Sequence, residues 1–172
     1  MSKRGQERYV FAAMLAVCVA LSLSVATGIA RAAGKTDLSW TMHGSYMCID
    51  PQCDTIGSGT AHADSSLLGD MTWTNAGAGG TGSPVCPHNL AGVTVSETWV
   101  YTTQNGDQLF LTTDSDSLCF VSPQVAKETA TFHITGGTGS LSGATGTGTF
   151  SVVDLTTPSN ENGKFSATIN LP

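Results

Sequence analysis

The residues best equipped for chemistry in this chain are Glu97, Asp114 and Asp116, close to Trp99 and Tyr101 in the run SETWVYTTQNGDQLFLTTDSDS. Asn105-Gly106 is a strong two-residue hairpin signal, because both central positions favour φ above zero. Pairing Gln104 with Asp107 sets Tyr101 opposite Phe110, Trp99 opposite Thr112 and Glu97 opposite Asp114. Directly opposed residues share a face, so two carboxylates would meet among aromatic side chains. Inside a cavity such a pair cannot keep both charges cheaply; one proton is shared and one pKa rises. This suits acid–base work near neutral pH and makes Glu97 and Asp114 the catalytic candidates. Two plainer readings stand ahead of it. The DSDS segment, 114–117, leaves its strand as a solvated turn; or the three acids hold calcium, which prefers oxygen ligands and suits an extracellular setting.

Other motifs point away from common chemistries. In FHITGGTGSLSGATGTGTF, Phe132 to Phe150, Ser142 stands where a dinucleotide fingerprint needs its third glycine. A P-loop needs a lysine, and none occurs between Lys127 and Lys164. The stretch predicts a β corner instead: a strand over 128–135, a turn at Gly136, Gly137 and Gly139 with Leu141 tucked in as a plug, then a strand over 145–153. His43, His62 and His133 fall on threonine-rich strand faces, which we read as solvent-facing, and His88 lies in a long loop. No Ser-His-Asp arrangement is visible, and the centre of GSLSG is Leu141 rather than a serine, so nucleophilic hydrolysis is disfavoured.

The elements that carry these residues follow an export leader. Lys3, Arg4 and Arg8 precede an apolar run from Val10 to Val25, then Ala30-Arg31-Ala32, the pattern of a secretory signal cleaved after Ala32. The run falls short of the roughly 20 residues that span a bilayer. Residues 1–32 are thus a signal peptide, 33–172 a single domain, and the protein is secreted, outside the cell or in a periplasm. Four of the seven cations and Glu7 leave with the signal. Lys35, Lys127 and Lys164 then face twelve of the thirteen carboxylates, a formal charge of −9. No arginine remains to read or neutralise nucleic acid, and an anionic membrane surface is equally disfavoured. The domain keeps Cys48, Cys53, Cys86 and Cys119. An even count in an exported chain reads as two disulfides with three possible connectivities. We favour Cys48–Cys53 across CIDPQC, and Cys86–Cys119 between distant segments. Cys86-Pro87-His88 fits no common zinc spacing, so neither a metal nor another cofactor is expected.

Periodicity is almost wholly that of strands. Leu38, Trp40, Met42 and Tyr46 alternate with polar residues, as do Met71 and Trp73, Ala130, Phe132 and Ile134, and Phe165, Ala167, Ile169 and Leu171. Gly57, Gly59, Ala61 and Ala63 share one face of a run at 56–64, which suits a tightly curved wall. Asn75 to Asn89 lacks alternation and reads as a loop; SNENG at 159–163 reads as a turn. Seven to nine antiparallel strands without helices give an all-β fold, a barrel of about eight strands with a sandwich as the alternative. The expected interior includes Leu38, Trp40, Met42, Met71, Trp73, Trp99, Phe110, Phe132, Ile134, Phe150 and Phe165.

ITGGTGSLSGATGTGTF, 134–150, resembles the glycine-rich corner of the dirigent and allene oxide cyclase-like β-barrels, a family with many exported bacterial members, and GKFSATINL resembles their closing strand. The resemblance covers about the last third of the chain. It implies an eight-stranded barrel around an apolar cavity, and chemistry that steers radical coupling, cyclises reactive intermediates or isomerises small molecules; it carries over no active-site residue. Three functions follow. The favoured one is a module binding a small apolar or aromatic ligand through Trp40, Trp73, Trp99, Tyr101 and Phe110. The second is a dirigent-like or allene oxide cyclase-like isomerase or cyclase using Glu97 and Asp114. The third is a structural role at the cell surface. Homo-oligomers are compatible with all three.

Overall fold

The computed structural model describes residues 34–49, 54–80, 82–156 and 158–172. The predicted signal peptide, its cleavage site and Cys53 lie outside the described residues. Eight strands run in chain order: β1 (Gly34–Cys48), β2 (Thr55–Ala63), β3 (Asp70–Gly79), β4 (Gly92–Thr103), β5 (Gln108–Ser122), β6 (Val125–Gly137), β7 (Thr145–Thr156) and β8 (Ser159–Leu171). Each pairs antiparallel with its neighbours, and β8 returns to β1, closing the barrel expected from the alternation.

The alternating apolar residues point inward for the usual reason: period-two side chains on a pleat with one wet face bury one set. Trp40, Met42, Met71, Trp73, Trp99, Phe132, Ile134, Phe150 and Phe165 are all buried, and so is Leu38. The small-residue face of β2 is inward too, and it leaves room for Trp73. A Cβ on Gly59 would come within 2.0 Å of the His43 carbonyl oxygen and 2.8 Å of the Trp73 indole nitrogen. That indole N–H is shared between the carbonyls of His43, at 3.2 Å, and Thr60, at 3.1 Å.

The corner between β6 and β7 differs in part from the expectation: Gly136 and Gly137 close β6, and only Gly136 and Gly139 of the three expected glycines take positive φ. Leu141 is fully buried at its centre. Gly139 adopts φ +55, and a side chain there would collide with the Asp107 carboxylate. That carboxylate instead accepts hydrogen bonds from the backbone N–H and hydroxyl of Ser140, at 3.0 and 2.6 Å. Cys86–Cys119 is a disulfide, tying the β3–β4 loop to β5. Cys48 is disulfide-bonded as well.

Four expectations need correction. The first is the β4–β5 register. The turn uses three residues, with the Thr103 N–H donating to the Asp107 carbonyl and Gly106 at φ +86, the geometry of a turn followed by a glycine bulge. Tyr101 therefore opposes Leu109, and Trp99 opposes Leu111. A one-residue slip exchanges the faces of a strand, so Leu109 and Leu111 are buried and Phe110 is only half-buried. The second is DSDS, which stays within β5; irregularities at Thr94/Thr98 and Thr113/Ser115 restore the other parity beyond it. Asp114 faces out and Asp116 faces in. The third is SNENG, which opens β8 rather than forming a turn: Thr156 already pairs with Ser159, and Asp154 with Glu161. The fourth is the loop expected from Asn75 on: Asn75 itself belongs to β3.

Candidate functional site

The barrel interior divides along its axis. Towards the β4–β5 hairpin, the aromatic residues pack against one another. Trp40 stacks on Phe165 with centroids 5.3 Å apart, Trp99 stacks on Tyr101 at 6.1 Å, and Trp73 meets Trp99 at 5.1 Å. Phe150 and Phe165 approach to 4.7 Å. Trp40, Trp73, Trp99 and Tyr101, expected to hold a ligand, are thus spent on each other and form a solid core, while Phe110 lies across from Gly136, away from this cluster.

At the other end lies a cavity of about 350 Å³. Its apolar wall comes from Val93, Val95, Leu118, Phe120 and Ala126, and its polar lining includes Tyr46, Glu97, Glu128, Asp154 and Glu161. Together with Asp116, five consecutive strands each turn one acid inward: Glu97 from β4, Asp116 from β5, Glu128 from β6, Asp154 from β7 and Glu161 from β8. All five are buried. Lys35, Lys127 and Lys164 all point to solvent, so among the described residues no lysine or arginine balances the ring. Burial therefore dominates their titration, since a carboxylate leaving water loses hydration that nothing replaces.

Glu97 is the best supported member. Its Oε2 accepts the Trp99 indole N–H at 2.8 Å, and its Oε1 accepts the Asn75 amide at 3.1 Å. Its own N–H donates to the Thr113 hydroxyl at 2.8 Å. Burial, then the charge of Asp116, push its pKa to about 8 against the pull of the indole N–H. Burial lifts Asp116 to about 6 and Glu128 well above the usual range, the latter also by Glu97 and Asp116. Asp154 rises to about 7 through burial and Asp116, and Glu161 to about 8 through burial, Asp154 and Glu97. Tyr46, whose hydroxyl donates to the Leu155 carbonyl at 3.4 Å, is raised by burial and by those two acids. Both oxygens of Asp116, Oε1 of Glu128 and Oδ2 of Asp154 are buried without a hydrogen bond of normal geometry. The neighbouring Glu128 carboxyl, and then the Ser117 N–H, draw Asp116 back towards ionisation.

The predicted partner of Glu97 is absent from this ring. Asp114 is about half exposed on the outer surface and pairs with His133. Asp116, the third acid of the predicted cluster, takes the inward place instead. Glu128, Asp154, Glu161 and Tyr46 join the lining and Asn75 supports Glu97; none of them was expected as a site residue from sequence. Parity could have found three of them: Glu128 shares the face of Ala130 and Phe132, Asp154 that of Phe150 and Val152, and Glu161 that of Phe165 and Ala167.

No protein-family profile and no curated protein matches the sequence. Among solved structures, the chain resembles a pterocarpan synthase dirigent protein: TM-score 0.43, 14% identity, over 79% of this chain and 84% of that one. A likeness of this size says nothing about chemistry. The closed eight-stranded antiparallel barrel is the fold class expected from the strand alternation.

Proposed function

We propose that this is a secreted barrel that binds, in its acid-lined end, a small molecule with an apolar body and a protonated amine. The observation that carries this reading is the directly opposed pair Asp154 and Glu161 lining a cavity whose other wall is apolar. A neutral apolar guest would leave buried carboxyl oxygens unpaired, which costs about 1–3 kcal/mol each. An ammonium donates up to three hydrogen bonds and supplies the charge that the outward lysines do not. The disulfide Cys86–Cys119 supports export.

Calorimetric titration of the oxidised protein with 2-phenylethylamine, and with 3-phenylpropionate as its anionic counterpart, tests the reading. The amine should bind and raise the Tm, the carboxylate should do neither, and Glu161→Gln should weaken amine binding at least tenfold. Equal binding of both probes, or of neither, refutes it. A second reading, a dirigent-like isomerase or cyclase, is favoured by the values of about 7 and about 8 at Asp154 and Glu161. Near neutral pH one member can give a proton while the other takes one. It predicts that a ligand recovered from the native protein is converted on incubation, and that Asp154→Asn abolishes the conversion without abolishing binding.

A further inference from the structure

Glu97, Asp116 and Glu128 reach the interior from adjacent strands, and each offers a carboxylate oxygen within 4.8 Å of the others. Their hydrogen bonding is lopsided. Glu97 takes two N–H donors, from Trp99 and Asn75, which orient it and favour its charged form. Asp116, only 4% exposed, has no well-formed bond to either oxygen, and Glu128, 6% exposed, has none at Oε1. Each proton held within the cluster serves only one acceptor oxygen, so sharing protons leaves part of this set unpaired. A single cation can face all three carboxylates.

The geometry points to a divalent cation of calcium's size bound by Glu97, Asp116 and Glu128 at the floor of the cavity, with Trp99 and Asn75 holding Glu97 in place from outside. The all-oxygen donor set selects a hard ion over zinc or copper. Calcium takes oxygens at about 2.3–2.6 Å in flexible geometry and accepts carboxylates in one- or two-oxygen modes. Two ligands on opposite sides of such an ion are separated by roughly the spacing seen here. Magnesium holds its octahedral water shell more tightly and fits an apolar-walled floor less well. Donors that bind a ligating carboxylate from behind are a recurrent feature of metal sites. The cation site uses carboxyls other than the Asp154–Glu161 pair assigned to the amine, so the two proposals can fail separately.

The test uses oxidised full-length protein treated with EDTA and exchanged into metal-free buffer. Ca²⁺ at about a hundred times its Kd should raise the Tm by several degrees, as binding to the folded state alone requires. Tb³⁺ should give emission sensitised by indole excitation, because the Trp99 nitrogen lies 2.8 Å from a ligand oxygen, and Ca²⁺ should displace it. Glu128→Gln should weaken both ions at least tenfold, while Asp64→Asn, an exposed acid beside His62, leaves both unchanged. Asp116→Asn carries the same expectation should Glu128→Gln fail to fold. Absence of a Ca²⁺-dependent Tm, or terbium emission that survives both variants, overturns the site. Phenylethylamine binding that persists in that case leaves the pocket reading standing.

Discussion

Glu161→Gln gives the most direct physical check on the acid ring. A glutamate in the unfolded chain titrates near 4.5, whereas Glu161 in the barrel keeps its proton to about 8. Between those values the native state holds a proton that the unfolded chain has lost, so stability falls as pH rises, and the loss is complete above the folded value. At about 1.4 kcal/mol for each pH unit, Glu161 alone withdraws on the order of 5 kcal/mol. Asp154, at about 7, shares the same repulsion, so its loss is not simply added. With a urea dependence of about 2 kcal/mol per molar, the denaturation midpoint in EDTA should drop by roughly 2 M between about pH 5 and pH 8.5. Glu161→Gln removes the charge but keeps the shape. Its midpoint should match the parent near pH 5, exceed it above pH 8, and show a clearly shallower slope. Stability that is flat or rises over this interval, or a variant with the parent's slope, would refute the claim that these acids are buried without a counter-charge.

Three further outcomes follow from local geometry. Replacing Cys86 and Cys119 together by Ala reopens a loop between residues 33 apart and should cost roughly 3–4 kcal/mol on the chain-entropy argument, read as a lower urea midpoint. Gly139→Ala places a side chain at φ +55 and against Asp107; the expected cost is about 1–3 kcal/mol, and a neutral result in thermal melts would contradict the corner. Trp99→Phe keeps the aromatic stack but removes the donor to Glu97 Oε2. Above about pH 8 it should destabilise by about 1–3 kcal/mol, with a smaller effect near pH 5, where Glu97 is protonated.

Much of the barrel was legible because its code is local. Alternation at Trp40/Met42, Phe132/Ile134 and Phe165/Ala167 needs only a pleat with one buried face, and the glycine corner needs only φ values that other residues avoid. The site was harder for a physical reason: it depends on parity carried past irregularities. Asn105-Gly106 correctly marks a hairpin, but a three-residue turn shifts the register by one and sends Phe110 off the core face. The bulge near Asp114 then reverses parity again and brings in Asp116, which no local signal announces. Glu161 was lost because its flanking asparagines and glycine mimic a turn, although it keeps step with Phe165. Acidic residues on an apolar face read most naturally as strand ends, and here they are strand interiors.

The pairing of β1 with β8 sets Gly34 directly opposite Leu171. Seven ladders join strands consecutive in sequence, and the eighth joins the first strand to the last. Each hairpin can form from nearby residues, but closure must bring together segments more than a hundred residues apart, and contacts that distant form slowly. Until that seam closes, the edges of β1 and β8 are open templates for strands of another chain. The same seam makes the barrel a ring with movable ends: a short linker across it, with new ends cut at Asn105, should preserve every ladder while changing which one closes last.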